Sequence, residues 1–419
     1  MPGCLTPAHP MNSVALKTTG KLPRSAATPC SRAAEASGLR LEIIQDEVGF
    51  LALEPFWDRL LARSSTRTPF LRWDWVSLWW NVHRNEFDLA IGVVRDKFCA
   101  PVAIAPLVLG RGTGHRRMLR HLTFIGGIGN IISEGMDFII PCGMEELFAP
   151  LLAKVFAKLR GRWDLVFLPM LPVESPNRAF MTAALPSAGG IFGSVVKRTS
   201  RYIPLPKTWA ELELQHSANW RSTHRRKWRK AMAEHSGRTL LAGRDLPFDV
   251  AFDALISLHR QRFDETQSRF LDHRVIEFHR ELVSRWIPTG RAQLSLLEMD
   301  GKFTAATYCF VDDGKAWQYQ SGWDPAFASL SIGRLGMGWA IQTAVESGLR
   351  EFDFLPGEFE HKKLWTAEVH HLEDIECYAT LSVRGWLFRA MRAVKRRIAP
   401  VKNTDSQRYV ETQSNNKDT

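Results

Sequence analysis

From Ala316 to Trp365 the chain passes through a strand, a glycine-bearing turn, an amphipathic helix and a second apolar strand without a break. This run commits the chain to a mixed α/β arrangement. The predicted strand Ala316 to Ser321 leads through Ser331-Ile332-Gly333-Arg334-Leu335-Gly336 into a helix expected from Ile332 to Glu346. Leu335, Trp339, Ala340 and Thr343 fall on one face of that helix, and Gly348 stops it. The second strand is Glu351 to Leu355. A helix entered through Ser331 and Gly333 leaves its first N–H groups unpaired. Those groups and the positive end of the helix dipole make a seat for phosphate.

The same plan appears earlier in the chain. In the second half a hairpin over 292–311 turns at Asp300-Gly301, a strand, helix and strand follow, and 372–381 adds another strand. In the first half strands are expected at 87–94, 100–109 and 119–125, a helix at 145–159 and a strand at 164–168. Both halves place Phe-Leu-Pro at the end of the last of these, as Phe167-Leu168-Pro169 and Phe354-Leu355-Pro356. The order of elements predicts a duplicated α/β unit.

At 419 residues the chain has room for two cores. A hydrophobic share of 45% with 24% charged residues excludes a mainly disordered chain. No apolar run reaches the roughly eighteen residues that a membrane-spanning helix needs. The net charge of +11 favours anionic partners, and it gathers at 111–120, 221–230 and 384–397. Cys4, Cys30, Cys99, Cys142, Cys309 and Cys377 form no Cys-x-x-Cys pair, so a reducing, cytoplasmic setting and no metal site are expected. Residues 1–38 read as a tail, 39–200 and 201–383 as the two domains, and 384–419 as a basic amphipathic helix with a tail.

Ser331 is expected to cap the helix, Gly333 and Gly336 to let a phosphate approach the backbone, and Arg334 to add a counter-charge. Asp353, Glu358, His361 and Lys362 gather titratable groups in one short turn, where a carboxylate can take a proton from a nucleophile and Lys362 can meet developing negative charge. Tyr319 and Trp323 are candidate acceptor contacts, with His361 and Trp365 beyond the second strand. In the first half, Gly126-Gly127-Ile128-Gly129 is followed by extended chain rather than by a helix, so that copy is expected to shape an acceptor cleft without carrying the reaction.

This order of elements resembles that of GNAT acyltransferases, and the duplication is similar to Fem-type peptidyltransferases. Phe-Asp-Phe-Leu-Pro-Gly-Glu with His361-Lys362-Lys363-Leu364-Trp365, and Ser331-x-Gly333 upstream, resembles acetyltransferases associated with cellulose and exopolysaccharide biosynthesis. The resemblance spans roughly residues 40–383. It implies two tandem GNAT-like domains, each a mixed, mostly antiparallel sheet flanked by helices. It further implies acetyl-CoA as donor, its pyrophosphate on Ser331 to Gly336 and its pantetheine arm along Gln318 to Ser321, and a saccharide or cell-envelope acceptor that attacks the thioester directly. Asp353, Gly357 and Lys362 match the family's motif, whereas His361 stands where that family often has Tyr. Two alternatives stay open: aminoacyl transfer from tRNA, and a catalytically silent binding subunit of a polysaccharide complex.

The segment 220–230, basic with Trp220 and Trp228 on one helical face, is expected to be a linker helix with buried rings and solvated cations, and nucleic acid is not an expected partner. The run 386–398 sets Trp and Phe against Arg and Lys, which predicts peripheral contact with an anionic membrane at its inner face.

Overall fold

The computed structural model describes residues 38–111, 118–264, 266–357 and 360–398, with the side chains of 194 and 392–398 set aside. Glu358, most of the tail expected over 1–38, and residues 399–419 lie outside the described residues. In the first half, strands β1 (Arg40–Ile44), β2 (Phe87–Leu89), β3 (Ile91–Arg95), β4 (Pro101–Ala105), β5 (Leu107–Arg111), β6 (Arg120–Phe124) and β7 (Leu165–Pro172) are joined by helices α1 (Glu54–Leu61), α2 (Trp73–His83) and α3 (Glu145–Lys158). Helix α4 (Arg178–Ser187) leads into the long strand β8 (Gly190–Pro204), and then come α5 (Ala218–Glu234), β9 (Arg238–Leu241), α6 (Phe248–Arg260) and α7 (His273–Trp286). The second half continues with β10 (Ala292–Met299), β11 (Lys302–Asp312), β12 (Lys315–Trp323), α8 (Ile332–Glu346), β13 (Glu351–Pro356), β14 (Val369–Ala379) and α9 (Val383–Ile398).

Eleven strands form one mixed sheet in the order β2-β5-β6-β7-β14-β8-β13-β12-β11-β10-β9, and β1-β3-β4 make a small second sheet. The hairpin predicted at Asp300-Gly301 is present, both residues having positive φ (50° and 72°), as a tight turn between twisted strands requires. In the first half each hairpin strand is broken once, at Ala90 and Pro106, so its outer part joins the small sheet. Each half contains one parallel pair, β6 with β7 and β12 with β13.

At their junction the two halves exchange strands. Strand β14, from the end of the second half, pairs with β7 of the first, while β8 pairs with β13 of the second, and β8 and β14 run antiparallel from Val369/Arg201 to Ala379/Gly190. The boundary expected between 200 and 201 therefore falls inside a strand. Side chains reinforce the junction. Arg198 donates to Asp374 at 2.7 Å, Arg72 to Asp312 at 2.7 Å and Trp286 to Asp74 at 2.9 Å. Phe70 and Trp75 of the first half pack edge-to-face on Phe310 of the second.

Candidate active site

Strands β12 and β13 pair only at Lys315/Glu351, Ala316/Phe352 and Trp317/Asp353, although β12 runs on to Trp323 and β13 to Pro356. Past Trp317 they part and leave a wedge. Two irregularities drive the separation. Tyr308 faces Gln320 while Cys309 faces Gln318, so Tyr319 is an extra residue that bulges β12. Strand β13 bulges between Asp353 and Pro356, where Leu355 takes φ 59°. A branched side chain in the left-handed region is strained, so neighbouring groups must hold it there.

Asp353 and Lys362 do so. The Asp353 carboxylate accepts the Leu355 N–H at 2.7 Å and the Ser200 hydroxyl, and burial raises its pKa. Lys362, only 4% exposed, donates to the carbonyls of Phe354 (2.9 Å), Leu355 (2.9 Å) and Pro356 (3.4 Å). An ammonium has three hydrogens, and three carbonyls engage them. The side chain expected to meet developing charge on a substrate instead anchors one wall of the wedge.

Helix α8 begins beside the wedge. Ser331 is left-handed (φ 53°), and its hydroxyl makes no cap. It accepts from Lys227 Nζ at 2.5 Å, which corrects the expected capping role. The Ser331 carbonyl takes the N–H groups of Arg334 and Leu335, so those of Ile332 and Gly333 have no backbone partner among the described residues. A Cβ on Gly333 would lie 2.7 Å from the Trp323 ring, so glycine lets that ring pack against the first turn of the helix. Gly336 serves packing rather than a ligand: it is buried, and a Cβ there would stand 2.7 Å from the Ala305 Cβ.

Arg334 lies half-exposed, its guanidinium 4.9 Å from the centre of the Trp220 ring. Its Nε and Nη2 are buried and lack hydrogen-bond partners among the described residues. Burial lowers its pKa, and its charge adds to burial in lowering those of Lys227, His216 and His224, the last to about 4. Helix α5, expected to be a linker, thus supplies one wall of this corner. His216, Trp220 and His224 stack in sequence at 4.0 and 4.8 Å, and Trp365 meets Trp220 edge-on at 5.3 Å. Trp365 is consequently core. Among the described residues, positive charge without a counter-ion, two guanidinium nitrogens without hydrogen-bond partners and two helix-start N–H groups without backbone partners are what a phosphate group would satisfy.

The comparable loop of the first half is sealed. Gly126, Gly127, Ile128 and Gly129 are buried, and the Ser133 hydroxyl fills the space a Cβ on Gly126 would need. Glu134 follows this loop, and its carboxyl enters the field of Lys362, Asp353, Arg198 and Asp374. Burial, against the opposing charge of Lys362, pushes its pKa up to about 8, and Oε2 has no hydrogen-bond partner among the described residues. No local motif marked this residue, because only the strand exchange brings it to β13.

The other candidates divide. Gln318 is 8% exposed within the bulged strand, and the Ser321 carbonyl faces His259 Nδ1 at 2.9 Å. Tyr319 packs at 4.6 Å on His279 and 4.8 Å on Phe310, and Trp323 lies under the Arg262 guanidinium at 4.7 Å. His361 is exposed on the short helix Glu360–Lys363. Glu351, Asp353 and His370 bring their ligand atoms within 4.8 Å of one another. That cluster is internally compensated, since Glu351 binds Lys315 and His370, each at 2.9 Å, and Tyr202 stacks on His370 at 3.9 Å.

Residues 218–363 match the profile of a family described as an acetyltransferase (GNAT) domain. No curated protein sequence matches the chain. Among solved structures it is similar to FemX, with TM-score 0.54 and 11% identity over 79% of this chain and 96% of that one. A conserved protein of unknown function from Bacteroides thetaiotaomicron gives TM-score 0.49 and 11% identity over 81% of this chain and all (100%) of that one. A tandem GNAT protein from the clavulanic acid biosynthesis pathway gives 0.41 and 12% over 82% and 100%. At 11% identity the likeness to FemX speaks for the fold alone. The family match falls on the second half of the chain, from the start of α5 to the short helix Glu360–Lys363, the part that carries the wedge.

Proposed function

We propose that the protein moves an acyl group, acetyl in the first instance, from coenzyme A to an amine or hydroxyl acceptor in the wedge between β12 and β13. The observation that carries this reading is the coincidence of the parted strands with the uncompensated corner of Arg334, Lys227 and the start of α8. The corner fits a pyrophosphate. The edge of β12 from Gln318 to Ser321, which lacks β13 as a partner past Trp317, suits the amide-bearing arm of the donor.

In the reaction the acceptor's nitrogen or oxygen bonds to the thioester carbonyl carbon, the carbon–sulfur bond breaks, and the thiolate leaves with the coenzyme. The acceptor's proton goes to a carboxylate. Asp353 is committed to Leu355 and Ser200, and Glu134, whose Oε2 has no hydrogen-bond partner among the described residues, is the candidate base. Holding both reactants in one cleft supplies much of the rate gain. A saccharide or cell-envelope acceptor is supported by the resemblance of 353–365 to the acetyltransferases of exopolysaccharide systems. Thiol release from acetyl-CoA, measured across amino sugars, sugar nucleotides and oligosaccharides, tests the proposal. Acceptor-dependent release supports it, and its absence with every acceptor class counts against it.

One observation favours a second donor. Arg226, Arg229 and Lys230 are exposed on α5 beside the same corner, a basic ridge that suits a larger polyanion such as aminoacyl-tRNA. Retention of charged tRNA without acetyl-CoA binding would select that reading.

A further inference from the structure

Helix α9 is attached to the body in an unusual sense. At its start the Ser382 hydroxyl donates to Asp164 at 2.7 Å and accepts the Gly385 N–H at 3.0 Å. One turn on, Phe388 inserts between Leu119, Leu165 and Tyr378, and a Cβ on Gly385 would lie 3.2 Å from the Asp164 carbonyl. The helix is therefore fixed in rotation. Its apolar stripe points away from the protein: Val383, Leu387 and Met391, spaced by four, are 73%, 60% and 62% exposed, and Trp386 beside them is 63% exposed. A helix that only closed the fold would turn this stripe inward.

The sheet extends the patch. Ile191 lies directly opposite Tyr378, on the face that α9 covers, and is 40% exposed; Leu381, just before the helix, is 84% exposed. The sequence Val-Arg-Gly-Trp-Leu-Phe-Arg-Ala-Met-Arg-Ala-Val-Lys-Arg-Arg-Ile carries six basic residues and no acidic one. Burial of exposed Leu, Met and Trp supplies attraction to any apolar phase. The one-signed charge selects a partner that is both apolar and anionic over an extended area, which a second copy of this basic chain is not.

We infer that α9, with Leu381 and Ile191 beside it, is a docking surface for an anionic phospholipid bilayer. Trp386 sits at headgroup depth, Val383, Leu387 and Met391 enter the acyl boundary, and Arg384, exposed beside them, meets lipid phosphate. The protein rests on such a surface without crossing it; among the described residues no helix is long and apolar enough to span a membrane. None of these side chains belongs to the wedge or to the anion corner, so the inference stands or falls apart from the acyl-transfer proposal.

The test is co-sedimentation of the full chain with phosphatidylcholine vesicles, with and without phosphatidylglycerol, at moderate salt. The wild type is expected to pellet with the anionic vesicles only and to be released by high salt. The triple variant Trp386→Ser, Leu387→Ser, Met391→Ser should lose at least about tenfold in vesicle affinity while keeping its melting temperature, because all three side chains are exposed. The inference is overturned if wild type ignores anionic vesicles, or if the triple variant binds them as wild type does. It is equally overturned if the patch supports only a concentration-dependent dimer that the triple variant abolishes.

Discussion

The guanidinium of Arg334 stands 4.9 Å over the ring of Trp220, and no carboxylate pairs with it among the described residues. Helix α5 meets the start of α8 at this contact, so the anion corner is made by the packing of two helices rather than by one glycine-bearing turn.

The corner's histidines report on occupancy. His224 is held at about 4 by burial and by the Arg334 charge. A bound diphosphate places negative charge beside Arg334, which favours the protonated imidazole and raises the His224 pKa. NMR titration of the histidine ring protons with and without coenzyme A is expected to show an upward shift of about one unit or more. An unchanged His224 would place the phosphates elsewhere.

Glu134 predicts opposite effects on activity and stability. The folded state holds its proton up to about pH 8 against an ordinary 4.5, so as pH rises between these values the unfolded chain releases a proton that the folded one keeps. Stability contributed by this group is complete at low pH and is lost progressively over that window. Glu134→Gln should melt higher than wild type above pH 8 and nearly with it at acid pH. If Glu134 is the base, the same variant loses about a hundredfold in kcat and the alkaline rise in rate disappears, while the KM for acetyl-CoA stays near wild type. A kcat that tracks wild type would remove Glu134 from the chemistry.

Lys362→Met separates an anchor from a charge that meets substrate. Losing three hydrogen bonds to the carbonyls of Phe354, Leu355 and Pro356 is expected to cost about 2–4 kcal/mol in denaturant unfolding. A variant as stable as wild type but inactive would return Lys362 to the reacting atoms.

For Gly336 the expected loss is in packing. Gly336→Ala sets a methyl 2.7 Å from the Ala305 Cβ, whose position is fixed by its strand, and should destabilise by about 1–3 kcal/mol while the folded fraction binds acetyl-CoA normally. Weaker binding without lost stability would make the glycine a ligand contact.

Features written in local periodicity were legible in the sequence. The turn at Asp300-Gly301, the bounds of α8 and the order of strands and helices in each half follow from residue spacing and turn chemistry, while the mixed sheet is implied by the family resemblance. Strand β8 was not. It exposes Ile191 and Phe192 and mixes Gly, Ser, Lys and Arg with its apolar residues, so it lacks the alternation of an inner strand, and its place beside β13 depends on a partner 150 residues away. Phe354-Leu355-Pro356 ends β13, whereas Phe167-Leu168-Pro169 lies inside β7, which runs on to Pro172, and the left-handed residue is Leu355 in one strand and Met170 in the other, so the repeated motif marks neither the strand end nor the bulge. The roles of Lys362, Lys227 and Glu134 are set by contacts between distant segments: a cation's sequence position does not say whether it meets a ligand, a carbonyl or a hydroxyl.

Calorimetric titration of acetyl-CoA into wild-type protein and into Arg334→Glu probes the anion corner most directly. One site per chain is predicted, weakened at least about thirtyfold in the variant, since the change deletes a charge-assisted contact and adds a repulsive carboxylate. Equal affinity in the two proteins, or no binding to wild type, would contradict the account.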